Sequence, residues 1–372
     1  MRRKLEHVEI PGEHEARERA WRVVSTAFAE REPLPAPARR RLVPALALVA
    51  VAAIAAATVT APGRALLHGF RETVGVEKAQ PALFSLPAPG RLLVRSDAGS
   101  WVVAADGSRR LLGPYREASW SPYGLFVVAA RRNELAALEP DGDVRWTLSR
   151  PDVRSPRWTG SPADTRIAYL DRLGLRVVAG DGTRDRLVAP AEAGPLAWRP
   201  TGPFELAYVS ASEVRLQDIE TGRVRWRANA GRLPAARALS WSVDGSRLLV
   251  VLADRLLLLD GDGRELARRP LAEIVAAALS PDGRRVAVVR RTEVVLLDQR
   301  LRGSRRLFAG GGRLAGLAWS PDGRWLLVGW PAADQWVFVR AAGASRIVAV
   351  SNVSEQFRSG TFPRVEGWCC AS

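Results

Sequence analysis

Residues 317–329 read LAWSPDGRWLLVG, and the pattern occurs five more times along the chain. ASWSPYGLFVVAA starts at Ala118, PRWTGSPADTRIAYL at Pro156, LAWRPTGPFELAYV at Leu196, LSWSVDGSRLLVV at Leu239 and AALSPDGRRVAVV at Ala277. The anchor residues are Trp120, Trp158, Trp198, Trp241, Leu279 and Trp319, spaced by 38, 40, 43, 38 and 40 residues. A repeat of about 40 residues built from short apolar strands is the period of a four-stranded propeller blade.

Each unit has a mechanical reading. The anchor tryptophan ends one strand and points into the packing between blades. A Ser-Pro-Asp-Gly turn follows, best seen at Asp282-Gly283 and Asp322-Gly323. Proline pre-sets φ, aspartate caps the turn through its side chain, and glycine takes the positive φ. Arg247 to Val251 forms the next strand and Arg255 to Leu259 a third, which ends in Asp-Gly-Asp-Gly from Asp260. In two repeats the fourth strand ends in tryptophan, at Trp146 and Trp226.

The two ends of the repeat region complete the count. Pro87 to Val94 matches the turn and second strand of a unit without its tryptophan strand. Val365-Glu366-Gly367-Trp368 matches a tryptophan strand without continuation. Pairing the two closes the ring and leaves no open edge. With Trp368 as the seventh anchor, the expected fold is all-β, a seven-bladed propeller over residues 83–372. The wider gap before Trp368 leaves room for a loop from about Val350 to Thr361.

Outward from the repeats, residues 42–61 read LVPALALVAVAAIAAATVTA, twenty residues without a charge. That length crosses a hydrocarbon core of about 30 Å as a helix. Arg39, Arg40 and Arg41 directly precede it, which puts the N-terminal side in the cytoplasm. A cleavable signal peptide is the competing reading, but its n-region is short and basic, whereas here 41 residues precede the apolar run. Residues 1–41 therefore read as a cytoplasmic tail, 42–61 as a single-pass transmembrane helix and 62–82 as a helical spacer. Within the tail, Trp21, Val24 and Phe28 recur at helical spacing and form an apolar stripe. This stripe either lies on the inner leaflet or docks a cytoplasmic regulator.

The formal net charge is +16, and almost all of the cations are arginine, the only lysines being Lys4 and Lys78. Such a charge fits an anionic partner, namely acidic envelope polymers, lipid headgroups or nucleic acid. The arginines are scattered through the strands rather than gathered in one block, and the topology argues against nucleic acid. Chemistry is sparse. His7, His14 and His68 all precede the propeller, so it has no histidine base and no histidine metal site. Cys369 and Cys370 are adjacent at the C-terminus. They are read as part of a packed terminal strand, a vicinal disulfide, a soft-metal pair or an attachment point. No catalytic, cofactor-binding or metal-binding residue is singled out. Tyr115, Tyr123, Tyr169 and Tyr208, with nearby arginines, are the only group weighed as a pocket.

With Leu-Ser-Pro-Asp-Gly-Arg at 279–284 and Trp-Ser-Pro-Asp-Gly-Arg at 319–324, the chain resembles bacterial WD-repeat-like propellers of the TolB type. The resemblance covers roughly Leu83 to Trp368 and implies a binding platform in the bacterial cell envelope. The Gly-His and Trp-Asp marks of eukaryotic WD40 repeats are absent. Asp218 to Trp226 is similar to the tryptophan-docking motif of quinoprotein propellers, but only one unit matches, so quinone binding does not follow.

The expectation is a membrane-anchored, extracytoplasmic, non-enzymatic propeller that binds a protein or an anionic envelope ligand, needs no cofactor and relays to a cytoplasmic partner. Two rivals stand beside it. One is a cofactor-binding or enzymatic propeller, quinoprotein-like or a lyase. The other is an electrostatic scaffold on anionic polymers. What separates the first rival from the expectation is whether the central channel gathers carboxylates and arginines or only small apolar groups.

Overall fold

A computed structural model describes residues 85–370 apart from 162, 191–192, 211–212 and 230–235. Residues 1–41, read above as a cytoplasmic tail with Trp21, Val24 and Phe28, the apolar segment 42–61 and the stretch 62–82 lie outside the described residues. Among the described residues, no helix is long and apolar enough to cross a membrane.

Seven four-stranded antiparallel sheets account for the described chain. Blade 1 holds Arg91–Ser96, Gly99–Val103 and Arg109–Gly113, and its inner strand is Arg364–Cys369 from the C-terminus. Leu92 pairs with Trp368 and Val94 with Val365, so the expected closure is what joins the ring. The inner strands of blades 2 to 7 are Glu117–Trp120, Arg154–Gly160, Ala193–Trp198, Ala238–Trp241, Ile274–Leu279 and Ala315–Trp319. Each inner strand touches the next, and the seventh touches that of blade 1, so together they wall a central channel. The stretch expected as a loop from 350 to 361 is more ordered than that: Ile347–Ser351 is the outer strand of blade 7, and Val353–Gln356 forms one helical turn.

Burial explains the pattern of each strand. The two middle strands of a blade have a neighbouring blade on both faces, so they read as continuous apolar runs such as RLLVV and EVVLLD, not as alternations. Outer strands face solvent along one side and alternate, as in VRWTLS and ELARRP. The scattered arginines sit largely on these outer strands and at strand ends. The apolar runs condense into seven clusters, each shared by two neighbouring blades. Full burial of one such Val or Leu is worth about 1.5–3 kcal/mol, so the blades hold one another rather than folding alone.

The turns do what their residues dictate. Asp282 accepts from Ser280 Oγ and from the Arg284 N–H at 3.1 Å, while the Gly283 N–H closes the turn on the Ser280 carbonyl. Asp322 does the same with Ser320 and Arg324. The Asp-Gly turns further out serve the next contact around the ring. Trp226 donates to the Gly261 carbonyl at 2.9 Å and lies flat on Gly263, where a Cβ would come within 2.6 Å of the indole. Trp146 is held the same way by the Gly180 carbonyl of the following blade.

Candidate functional site

Three anchor contacts show the regular arrangement, one departs from it, and two show its failure. Trp198 donates its indole N–H to the carbonyl of Arg157 in the blade before it, at 2.9 Å. Trp241 does so to Ala197 at 3.3 Å and Trp319 to Ala278 at 3.2 Å. Trp368, on the closing strand, bonds instead to Pro89 at 3.2 Å. Leu279 has nothing to donate. The buried indole nitrogens of Trp120 and Trp158 have no partner at all. Both belong to blades 2 and 3, beside the closure.

The same arc carries the channel's charge. Each inner strand of this arc contains a carboxylate or a guanidinium, whereas blades 4 to 7 present AGPLAW, ALSW, IVAAAL and AGLAW. Glu366 is placed by a break in pairing register: Leu93 pairs with Gly367 and Val94 with Val365, which leaves Glu366 as the extra residue. A bulge of this kind re-aims a side chain. Its Oε2 accepts the Ala118 N–H at 2.7 Å, and its Oε1 lies 3.9 Å from Arg95 Nε. Arg95 in turn donates to the Arg116 carbonyl at 2.9 Å.

Glu117, at the start of the neighbouring inner strand, accepts the N–H of Ser155 at 2.6 Å. Ser155 takes a positive φ of 53° there, just ahead of Arg157. Arg157 donates to the Pro156 carbonyl at 2.8 Å, and among the described residues no carboxylate lies within ion-pair distance of it. Its side chain is exposed by surface area, although protein lies around it on most sides. That enclosure lowers its guanidinium from the ordinary value, opposed by the fields of Glu366 and Glu117. Burial dominates at Glu366 as well. It pushes the carboxyl to about 7 against the pull of Arg95, the Ala118 N–H and Arg157, with Glu117 adding to the rise.

The result is an enclosed pair of carboxylates with two guanidinium groups, one carboxyl poised to take or give a proton near neutrality. Such a cluster suits a small polar ligand that carries charge, and it is the kind of site where perturbed groups gather. Among the described residues, no group of His, Cys, Asp and Glu side chains is arranged to hold a metal ion.

The residues read from sequence fall elsewhere. Trp120, Trp158, Trp198, Trp241, Leu279, Trp319 and Trp368 form the ring between blades, and Asp282, Gly283, Asp322 and Gly323 hold turns. The four tyrosines do not share a pocket. Tyr115 is buried, Tyr208 donates to Gln217 at 2.8 Å, and Tyr123 is exposed on a turn. Tyr169 donates to Asp185 at 2.7 Å, and Arg150 and Arg176 bind the same carboxylate. Burial raises Asp185, but these three partners outweigh it and hold the carboxyl below its ordinary range. This group ties blade 2 to blade 3. Cys369 and Cys370 form a disulfide with each other and lie against the carbonyls of Ser121 and Pro122.

The sequence reading does not single out Glu117, Glu366, Arg95 or Arg157, and one column of the repeat marks Arg157 alone. The residue before each anchor is Ser119, Arg157, Ala197, Ser240, Ala278, Ala318 and Gly367. Six are small and one is arginine.

No protein-family model matches the chain, and no curated protein matches it. Among solved structures it is similar to the hydrazine synthase of Kuenenia stuttgartiensis, with a TM-score of 0.51 and 13% identity over 71% of this chain and 80% of that one. At that identity the likeness concerns fold alone. The sheet topology and this likeness agree on the class, a β-propeller, and the topology gives the particular form, seven four-stranded blades closed by the C-terminal strand.

Proposed function

We infer that the chain is a binding propeller of the TolB-like kind, anchored through residues 42–61 with the propeller outside the cytoplasm, and that it takes a small charged ligand at the blade 1–3 arc of its channel. The observation that carries this reading is Arg157. An accessible guanidinium on the channel wall without a carboxylate partner retains its hydrogen-bonding capacity for an anionic group, and Glu117 and Glu366 beside it suit a cationic group on the same molecule. A zwitterion or a protonated carboxylic acid matches that mixture. Relay to a cytoplasmic partner through the Trp21, Val24 and Phe28 stripe belongs to the same reading and rests on the tail sequence alone.

The test is a thermal-shift screen of the detergent-purified chain against small carboxylates, amines and zwitterions, above and below the Glu366 midpoint. Compounds that stabilise the parent but not Arg157→Gln support the site. A screen without a hit, or hits that Arg157→Gln retains, removes it. A reporter fused after Ser372 tests the orientation, and a cytoplasmic signal there sinks the anchored external arrangement. Carboxylates and arginines on the channel wall are the outcome that speaks for the enzymatic rival, and with the near-neutral carboxyl of Glu366 they favour one second reading, proton transfer on the bound molecule. Turnover of a hit that disappears in Glu366→Gln while binding persists moves the protein to the enzymes.

A further inference from the structure

The opposite end of the same arc, where inner strands run into their turns, departs from the repeat in a second and independent way. In blades 5 to 7 this turn is built on an aspartate, and of its other residues only Val243 of blade 5 is a large exposed apolar side chain. Asp244, Asp282 and Asp322 each accept the backbone N–H two residues on, at 3.0, 3.1 and 3.0 Å. Blade 2 has Ser121-Pro122-Tyr123-Gly124-Leu125-Phe126 at this place. Its backbone is that of the others: Ser121 Oγ accepts the Phe126 N–H at 2.9 Å, and the Gly124 N–H reaches the Ser121 carbonyl at 2.9 Å. Only the surface has changed. Tyrosine replaces the bonding aspartate and leucine the usual arginine, and they stand 53% and 59% exposed. Folding does not ask for that exchange, since the aspartate form of the turn is the better bonded one.

Tyr123, Leu125, Phe126, Trp146 and Trp158 line a cleft of about 240 Å³ between blades 2 and 3, with Arg145 and Asp181 as its charged members. Phe126 and Trp158 stack at 5.9 Å with their planes 16° apart, giving the cleft an aromatic floor. A second, wider groove of about 530 Å³ opens between blades 1 and 2 and is lined by Arg91, Arg109 and Arg110. The two depressions meet at the same turn, because Arg91 donates through Nη2 to the Gly124 carbonyl. Among the described residues, none of these three arginines has a carboxylate within ion-pair distance. Asp141 is the one acid on the groove wall.

We propose that this turn face docks an acidic peptide segment of a protein partner, with one apolar side chain seated in the aromatic cleft and its carboxylates along the arginine groove. Charge complementarity and size select this occupant. Three guanidinium groups without carboxylates attract a polyanion and pair with carboxylates in forked geometry. An apolar cavity of about 150 Å³ accepts a benzene ring, so the cleft here suits one large side chain and is short for an acyl chain. The proposal does not rest on the channel ligand, which sits at the other end of the inner strands.

The test uses the full chain in detergent and short fluorescein-labelled peptides that carry one Phe or Leu flanked by glutamates. Fluorescence anisotropy is read for the parent, for Tyr123→Asp with Leu125→Arg, and for Arg109→Gln with Arg110→Gln. The first pair restores the residues that the protein itself uses in this turn, so it folds at least as well as the parent. Binding by the parent, weakened tenfold or more by either pair, and absent for the lysine-flanked peptide, is the expected result. No binding to the acidic peptides, equal binding by the restored turn, or binding of phosphatidylglycerol vesicles in their place each overturns the proposal.

Discussion

The inner strands of blades 4 to 7 read AGPLAW, ALSW, IVAAAL and AGLAW, while those of blades 1 to 3 read RVEGWC, EASW and RSPRWTG. Both arcs hold four-stranded sheets of the same topology and bury their middle strands alike. In the first arc small side chains fill the channel wall, and each anchor indole that faces a neighbouring blade finds its carbonyl. In the second, charges enter the wall, the two anchor indole nitrogens of Trp120 and Trp158 go unpaired, and the blade 2 turn carries tyrosine where blades 5 to 7 carry aspartate. Unpaired buried donors and enclosed charges each oppose folding. Buried groups without partners occur in the other arc too, at Trp336, Arg255 and Arg340, so what sets blades 1 to 3 apart is charge on the inner strands, and that is best explained by use, because the inner strands of blades 4 to 7 wall the channel without it.

The largest test of this comparison removes the closure. Ending the chain before Arg364 takes away the inner strand of blade 1 together with Glu366, and exposes the edges of blades 1, 2 and 7. Cooperative unfolding, followed by circular dichroism, is expected to vanish, and a retained sharp transition would mean that closure is dispensable.

Next comes a matched pair of truncations. Trp319→Ala, in the regular arc, removes a side chain only 7% exposed together with its bond to Ala278. A loss of about 3–5 kcal/mol is expected. Trp158→Ala removes a less buried ring whose nitrogen is unpaired, and chemical denaturation should show a smaller loss. Equal losses would erase the distinction between the arcs.

Glu366→Gln sharpens the comparison through pH. The folded carboxyl binds its proton up to about 7, against an ordinary 4.5. Between those values the folded state holds more protons than the unfolded one, so the parent loses stability as pH rises. The variant has no such loss. It should match the parent below the lower value and exceed it above the upper one, by at most about 3 kcal/mol. A difference that is flat across this window would place Glu366 in water.

The smallest effect expected is at the surface. Tyr123→Asp restores the turn bond of Asp282 and Asp322 and should add about 0.5–1 kcal/mol. A destabilised variant would show that tyrosine serves the fold after all.

Much of this architecture was legible because its causes are local. Trp120 through Trp319 recur at blade spacing, Asp282-Gly283 and Asp322-Gly323 set their turns by their own φ and side-chain bonds, and apolar runs mark strands covered on both faces. Even the closure followed, since the units at Val94 and Trp368 each lacked what the other supplied. The site did not emerge in the same way. The four tyrosines drew attention as a group, but they are spread over three blades and the turn face. Glu366 reads in the sequence as one more residue of a terminal strand, and Arg157 differs only as the one arginine among the small residues that precede the anchors.

The sequence by itself thus determined the repeat, the number of blades and the way the ring closes, because strand patterning, turn chemistry and period are carried within each unit. Only the tertiary structure decided that residues 117, 157 and 366 share one arc of the channel. The pairing of Arg91–Ser96 with Arg364–Cys369, strands roughly 270 residues apart, and a one-residue shift in that pairing bring Glu366 to Ala118. A side chain's surroundings across such a seam depend on long-range register, which no single unit encodes.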